Sequence, residues 1–138
     1  GVKIEQTGVG SGLRGLPGDW TPPSRFVKLA FGIDSALKPL NATEAVNLAE
    51  HLLNTVDIPK GAIKEPTAIP GKHLYGYAQW VVIKDLTNKV LYYKTYENTA
   101  WRSVDLKKFD LIFGKEVKRL AIDAAGLPAI DVSGNFNP

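Results

Sequence analysis

The 138-residue sequence contains no cysteine, no methionine and only two histidines. The absence of cysteine excludes disulfides, thiolate metal sites and a thiol nucleophile within the chain. His51 falls beside the apolar stripe of a predicted helix and has no second histidine four residues later, so it is a helix-boundary residue rather than a metal ligand. His73 falls in a predicted loop, where it is either an exposed residue or part of a substrate entrance. The sequence therefore predicts neither a metal site nor a cofactor.

Long apolar runs and clustered charge are also lacking. No apolar run approaches the roughly 20 residues needed to cross a bilayer, so no membrane partner is predicted. Seventeen basic residues against fourteen acidic ones give a formal charge of +3, but the lysines are scattered among acids. This distribution argues against a nucleic-acid partner, which usually requires a basic face. With 44% hydrophobic residues, we expect residues 1–138 to form one globular domain, with a loosely ordered tail over 126–138.

The stretch over residues 12–28, GLRGLPGDWTPPSRFVK, is the most informative part of the sequence. Its glycines are too frequent for the interior of a helix or strand, so they predict a sharply turning loop. Thr21 is a suitable N-cap and Pro22 a suitable first helical residue, because proline lacks an N–H that would have no partner there. Apolar residues recur afterwards at helical spacing and predict a stripe to be buried, namely Phe26, Leu29, Ala30, Ile33 and Leu37.

Arg25 falls in the first turn of this helix, where the helix dipole makes a cation mildly unfavourable. One interpretation is an ion pair with Asp19 that closes the loop. The other is an arginine held over a reaction centre. The residues alone favour the ion pair, because most arginines near loops are structural or solvated.

The remaining segments predict an α+β domain. A capping box of Asn41 and Glu44 begins a second helix, followed by a long connection over 57–71. Strands over 75–84 and 90–97 form a hairpin, and both faces of the first strand carry apolar side chains. A third short strand covers 101–106, a closing helix covers 115–125, and a short strand near Val2 precedes the glycine loop.

Three ordered motifs then resemble the choloylglycine hydrolase family, which contains conjugated bile salt hydrolases and penicillin V acylases. They are GLPGDWTPPSRFVK, NTVDIPKG at 54–61 and YYKTYENTAWRSVDL at 92–106. The resemblance implies part of a four-layer αββα N-terminal-nucleophile hydrolase fold that cleaves linear amides through an N-terminal cysteine. It also implies that Arg25 is catalytic, and that the cysteine and its other partner residues belong to earlier sequence of the same protein.

Further expectations follow from this resemblance. The glycine loop would form one wall of a substrate pocket, with Leu13, Leu16 and Trp20 offering apolar contact to an acyl or steroid group. For Trp20, packing beneath the loop is an equal alternative. The expected substrate is a small amide: penicillin V, an N-acyl homoserine lactone or a conjugated bile salt. The residues 1–138 alone would be inactive, the whole protein a homotetramer, and its location the periplasm or else the cytoplasm.

Two interpretations compete with the enzyme. The chain is alternatively a non-catalytic homologue that serves as a binding module, or a structural and assembly module on the same scaffold. Arg102 is the second candidate for a functional arginine, although a surface ion pair is the simpler role for it.

Overall fold

The computed structural model describes residues 13–110 and 119–122. The chain divides into two compact units, Gly1–Tyr77 and Ala78–Pro138. That both belong to one domain stays a prediction. The strand expected near Val2 and the tail over 126–138 lie outside the described residues. Of the closing helix predicted over 115–125, residues 119–122 are described, and they are not helical, so the helix prediction is wrong for these four residues.

The first unit contains two helices and a small hairpin. Helix α1, Pro22–Ser35, begins at the predicted proline with Thr21 as N-cap. Helix α2, Ala42–Asn54, begins at the predicted capping box, in which Glu44 N donates to Asn41 Oδ1 at 3.0 Å and Asn41 Nδ2 donates to Glu44 Oε1 at 2.8 Å. Both helix starts are therefore confirmed.

The apolar stripe predicted for α1 is not buried within the described part of the chain. Phe26 and Ile33 are largely exposed, and Leu37, which follows the end of the helix, is 92% exposed. The face of α1 that meets α2 instead carries Gly32, where an added Cβ would lie 2.6 Å from Leu52 Cδ2. A glycine brings the two helices together here because it has no side chain to keep them apart.

The connection over 57–71 contains an element that periodicity did not predict. Strand β1, Ile63–Glu65, pairs antiparallel with β2, Leu74–Gly76. This corrects the strand predicted over 75–84, because its first residues pair with β1 and the next strand begins only at Trp80. Three-residue strands are too short to show an alternation in sequence, so pairing alone defines them.

The second unit is a three-stranded antiparallel sheet in the order β3-β4-β5. The strands are β3, Trp80–Asp85, β4, Val90–Thr95, and β5, Arg102–Asp105, followed by a short 3₁₀ helix, Leu106–Lys108. The hairpin and the third strand are thus confirmed. The register pairs Val82 with Tyr93 and Tyr93 with Arg102, which places these three residues on the same face of the sheet. Among the described aromatic residues of this unit, Tyr93 is the most buried, at 8% exposure.

Candidate functional site at the start of helix α1

The candidate site is built on a short chain of hydrogen bonds at the start of α1. Thr21 N donates to Asp19 Oδ1 at 2.8 Å, and the hydroxyl of Ser24 donates to Asp19 Oδ2 at the same distance. The hydroxyl of Thr21 donates in turn to Ser24 Oγ at 3.0 Å. Ser24 is the one buried residue of α1, at 4% exposure. Both carboxylate oxygens of Asp19 therefore accept a hydrogen bond from the first turn.

These bonds act on the protonation of Asp19. Hydrogen bonds from Thr21 and from the Ser24 hydroxyl favour the ionised carboxylate and lower the pKa of Asp19 to about 2. Asp19 is consequently an anion throughout the neutral range. Its negative charge also lies near the N-terminus of α1, where the helix dipole favours an anion.

Arg25 lies in the same turn, and its side chain is held differently. Its backbone N–H donates to Thr21 O at 3.0 Å, which is the first hydrogen bond of the helix. Its Nε is buried and has no hydrogen-bond partner among residues 13–110 and 119–122. The ion pair with Asp19 that the sequence also allowed is absent from the described residues, because the Asp19 oxygens accept from Thr21 and Ser24 instead. A buried cationic N–H without a partner is costly, so this geometry points to a group that the described residues do not supply.

The three predicted substrate contacts lie in the loop before the helix. Leu16 N donates to Leu13 O at 3.1 Å, forming a tight turn around Gly15, whose φ of 83° is in the left-handed region. Leu13 and Trp20 are 49% and 40% exposed, and Leu16 is half-buried. Trp20 is thus partly open to solvent. A substrate-binding role for the three side chains stays a prediction.

The surface ion pair expected for Arg102 is not found among the residues that the structure describes. Its Nη1 donates to Ile122 O at 3.1 Å, its Nη2 donates to Thr95 Oγ1 at 3.3 Å, and its guanidinium lies 4.6 Å from the centre of the Tyr93 ring. The sequence missed this arrangement, although the pairing of the third strand with the second would have placed Arg102 opposite Tyr93. Sequence gave no signal for the contact with Ile122, which lies far along the chain.

The two histidines and the residues that line a surface cavity are distant in sequence from the start of α1. His51 is exposed near the end of α2, and the His73 ring is 6.3 Å from the ring of Tyr75. A cavity of about 310 Å³ opens beside the β3–β4 turn and includes Lys84, Lys89 and Leu106 in its lining. The cavity contains none of the residues that the sequence analysis proposed for substrate contact. Within residues 13–110 and 119–122, no helix is long and apolar enough to cross a membrane.

Residues 1–127 match the family model described as linear amide C–N hydrolases, choloylglycine hydrolase family. The chain belongs to the choloylglycine hydrolase family. Among its relatives, it is 36% identical over 113 residues to the bile salt hydrolase/transferase of Clostridium perfringens, which covers 80% of this chain and 32% of that protein. It is 38% identical over 89 residues to the uncharacterised protein A284L of Paramecium bursaria Chlorella virus 1, covering 64% of this chain and 32% of that protein.

Solved structures give the same result. A crystal structure of a mutant conjugated bile acid hydrolase from Clostridium perfringens matches 94% of this chain and 37% of that chain, with 30% identity and a TM-score of 0.67. The penicillin V acylase of Agrobacterium tumefaciens matches 70% of this chain and 29% of that chain, with 23% identity and a TM-score of 0.55, which supports the fold alone.

The fold prediction is confirmed. This choloylglycine hydrolase family member is an α+β chain whose elements match part of an N-terminal-nucleophile hydrolase fold. It spans about a third of the length of the curated relatives that it matches.

Proposed function

We propose that this chain is the C-terminal part of a cysteine amidohydrolase in which Arg25 serves the nucleophile. The observation that carries the proposal is that Arg25, in a motif that resembles the family's SRF motif, has a buried Nε without a partner and, unlike Arg102, makes no other side-chain hydrogen bond within the described residues. A cationic donor in this state has unused hydrogen-bonding capacity, which a thiolate or a substrate oxygen would use. The cysteine would come from sequence ahead of Gly1.

The chemistry that fits is nucleophilic acyl transfer. A thiolate attacks the carbonyl carbon of a linear amide, the amine leaves with a proton, and water then hydrolyses the thioester to release the acid and restore the thiol. The α-amine of the cysteine would be the base. A guanidinium beside the sulfur would lower the pKa of the thiol and so raise the fraction of thiolate at neutral pH.

The substrate class is a small linear amide with an apolar acyl part. The bile salt hydrolases among the relatives make glycine- and taurine-conjugated bile salts the first substrates to test. Penicillin V and long-chain N-acyl homoserine lactones are the second and third. The partly exposed Leu13 and Trp20 are proposed to contact the acyl or steroid part of whichever amide is cleaved. A homotetramer and a periplasmic location remain proposals for the whole protein.

The experiment compares the full-length protein with three variants on all three substrate classes. Arg25→Ala removes the cation, and Arg25→Lys keeps a charge but removes the Nε–H. Lys28→Ala is the matched control, because Lys28 is a cation on the same helix whose Nζ donates to Thr55 O. We expect Arg25→Ala to lower kcat/KM by on the order of 100-fold or more, as for other residues that stabilise charge in a transition state. Arg25→Lys should lose less activity than Arg25→Ala but remain below the parent. Lys28→Ala should keep the parental kcat/KM.

Two results would contradict the proposal. One is parental turnover of every substrate by Arg25→Ala. The other is any amide hydrolysis by residues 1–138 alone, since the chain has no thiol.

A further inference from the structure

The backbone and side chain of Thr21 join three residues at the start of α1. Its N–H bonds to Asp19, its hydroxyl to Ser24, and its carbonyl accepts the N–H of Arg25. Ser24, the residue directly before Arg25, completes the ring by donating to Asp19. Asp19, Thr21 and Ser24 therefore form one hydrogen-bonded ring, which is joined to the backbone of Arg25 through the carbonyl of Thr21.

The carboxylate of Asp19 sets the direction of the hydrogen bonds that end on it, because an ionised carboxylate can only accept. The Thr21 hydroxyl donates to the Ser24 oxygen, and the Ser24 hydroxyl donates to the carboxylate, so the last member must be an acceptor. An ionised carboxylate fulfils this requirement with both oxygens. An asparagine would offer one accepting oxygen and one donating nitrogen, so its oxygen could replace the carboxylate towards either the Thr21 N–H or the Ser24 hydroxyl but not towards both. Ser24 is buried, so its hydroxyl cannot readily exchange its protein partners for water.

The start of α2 provides a contrast. There the N-cap side chain, Asn41, accepts from a free backbone N–H of the first turn, which is the usual way in which a helix start is stabilised. In α1 the N-cap Thr21 makes no such bond from its side chain. Its hydroxyl is used to orient Ser24 instead. The hydrogen bonds around Thr21 therefore do more than cap the helix.

We infer that Asp19, Thr21 and Ser24 are positioning residues, which hold the first turn of α1 so that the Arg25 Nε–H keeps one direction. This inference rests on the proposed function of Arg25 and extends it to the residues that orient it. None of the three touches the reacting atoms in this scheme. They act through the backbone of one helical turn.

The test uses Ser24→Ala and Asp19→Asn in the full-length protein, with Asn41→Ala as the control that weakens the other helix start. Misplacement of a catalytic group can cost on the order of 100-fold in rate, so we expect kcat to fall roughly 10- to 100-fold while KM changes by less than about 3-fold. Asn41→Ala should lower stability and leave kcat at the parental value. Ser24→Thr, which restores a hydroxyl, should recover most of the kcat lost in Ser24→Ala.

A second measurement does not depend on activity. Hydrogen exchange of the Arg25 Nε–H, followed by nuclear magnetic resonance, should be at least about 10-fold faster in Ser24→Ala and Asp19→Asn than in the parent or in Asn41→Ala, because loss of a fixed direction opens the buried group to water. If Ser24→Ala does not fold, Asp19→Asn, which changes an exposed residue, answers the question alone.

The outcomes separate the two ideas. If Arg25→Ala is active, the proposed function fails, and faster exchange in the ring variants would still support positioning. If Arg25→Ala is inactive while both ring variants keep parental kcat and parental exchange, the positioning inference is overturned and the proposed function stands.

Discussion

Two arginines near the start of secondary-structure elements, Arg25 in α1 and Arg102 in β5, are held in opposite ways. Arg102 donates to Ile122 O and Thr95 Oγ1 and lies over the Tyr93 ring. The side chain of Arg25 has no hydrogen bond within the described part of the chain, although its Nε is buried. Both side chains are half-buried, and both have a buried Nε without a partner. They therefore differ in their Nη atoms, which form hydrogen bonds in Arg102 and none within the described residues in Arg25.

The difference teaches how to separate a structural arginine from a functional one. Bonds that hold a guanidinium to a sheet and to a distant carbonyl stabilise the fold. A guanidinium that has a buried Nε and no such bonds costs stability, and proteins keep costly groups where function requires them. Burial alone does not distinguish the two residues, because both are half-buried.

The largest expected effect is on the free energy of unfolding of the protein when either arginine is replaced. Arg102→Met should lower the free energy of unfolding by about 1–3 kcal/mol, because it removes two hydrogen bonds from a cation. Arg25→Met should leave it unchanged or raise it by up to about 1 kcal/mol, because it removes a buried donor without a partner. Urea unfolding of the two variants measures both values. Equal destabilisation by the two substitutions would break the comparison.

A smaller effect on stability is expected at two residues with left-handed backbone conformation, one before α1 and one in the β3–β4 turn. The two substitutions should change stability in opposite directions. Gly15 has a φ of 83° with nothing near its added Cβ, and Lys89 has a φ of 58°. Side chains in this region cost roughly 1–2 kcal/mol. Gly15→Ala should thus destabilise and Lys89→Gly stabilise, each by about 1 kcal/mol. Thermal melting of both variants tests the signs, with Leu86→Gly in the same turn as a control that should not stabilise.

The smallest effect concerns acid. The pKa of Asp19 is about 2 when folded and about 3.9 in an unfolded chain, so its contribution to stability is complete above about pH 5 and is lost as pH falls from there through about 2. Asp85 shifts in the same direction, because Asn88 donates to it from its backbone and its side chain.

Stability curves between pH 2 and 6 for Asp19→Asn and Asp85→Asn, each subtracted from the parent, should therefore slope over that acid range and be flat above it. A flat difference curve throughout would show that the carboxylate bonds do not persist in solution. A slope between pH 5 and 6 would place the responsible group elsewhere.

The local parts of the fold could be predicted because their signals lie close together in sequence. Pro22 and the Asn41–Glu44 capping box act on residues three or four positions away, and both helix starts are where they were expected. The β3–β4 hairpin followed from two runs of strand formers joined by a short turn. The β1–β2 pairing was missed because each strand has three residues and its partner is about ten positions away.

For the candidate site, the sequence singled out Arg25 and offered an ion pair with Asp19 as one of two roles for it, but the structure gives the carboxylate other partners. Charge favoured an ion pair, whereas the helical turn brings the neutral donors of Thr21 and Ser24 to the Asp19 oxygens first. Hydrogen bonds depend on direction and on distances of a few tenths of an ångström, and neither is written in the order of residue types.

By itself the sequence determined the family, the positions of the helices and the central hairpin, and the absence of a thiol, because these depend on motifs, on short-range periodicity or on composition. The tertiary structure decided which arginine is bonded into the fold and which is not. That choice depends on atoms from Ile122 and Thr95 reaching Arg102, while both oxygens of Asp19, the acceptor that the sequence offered to Arg25, already accept from Thr21 and Ser24.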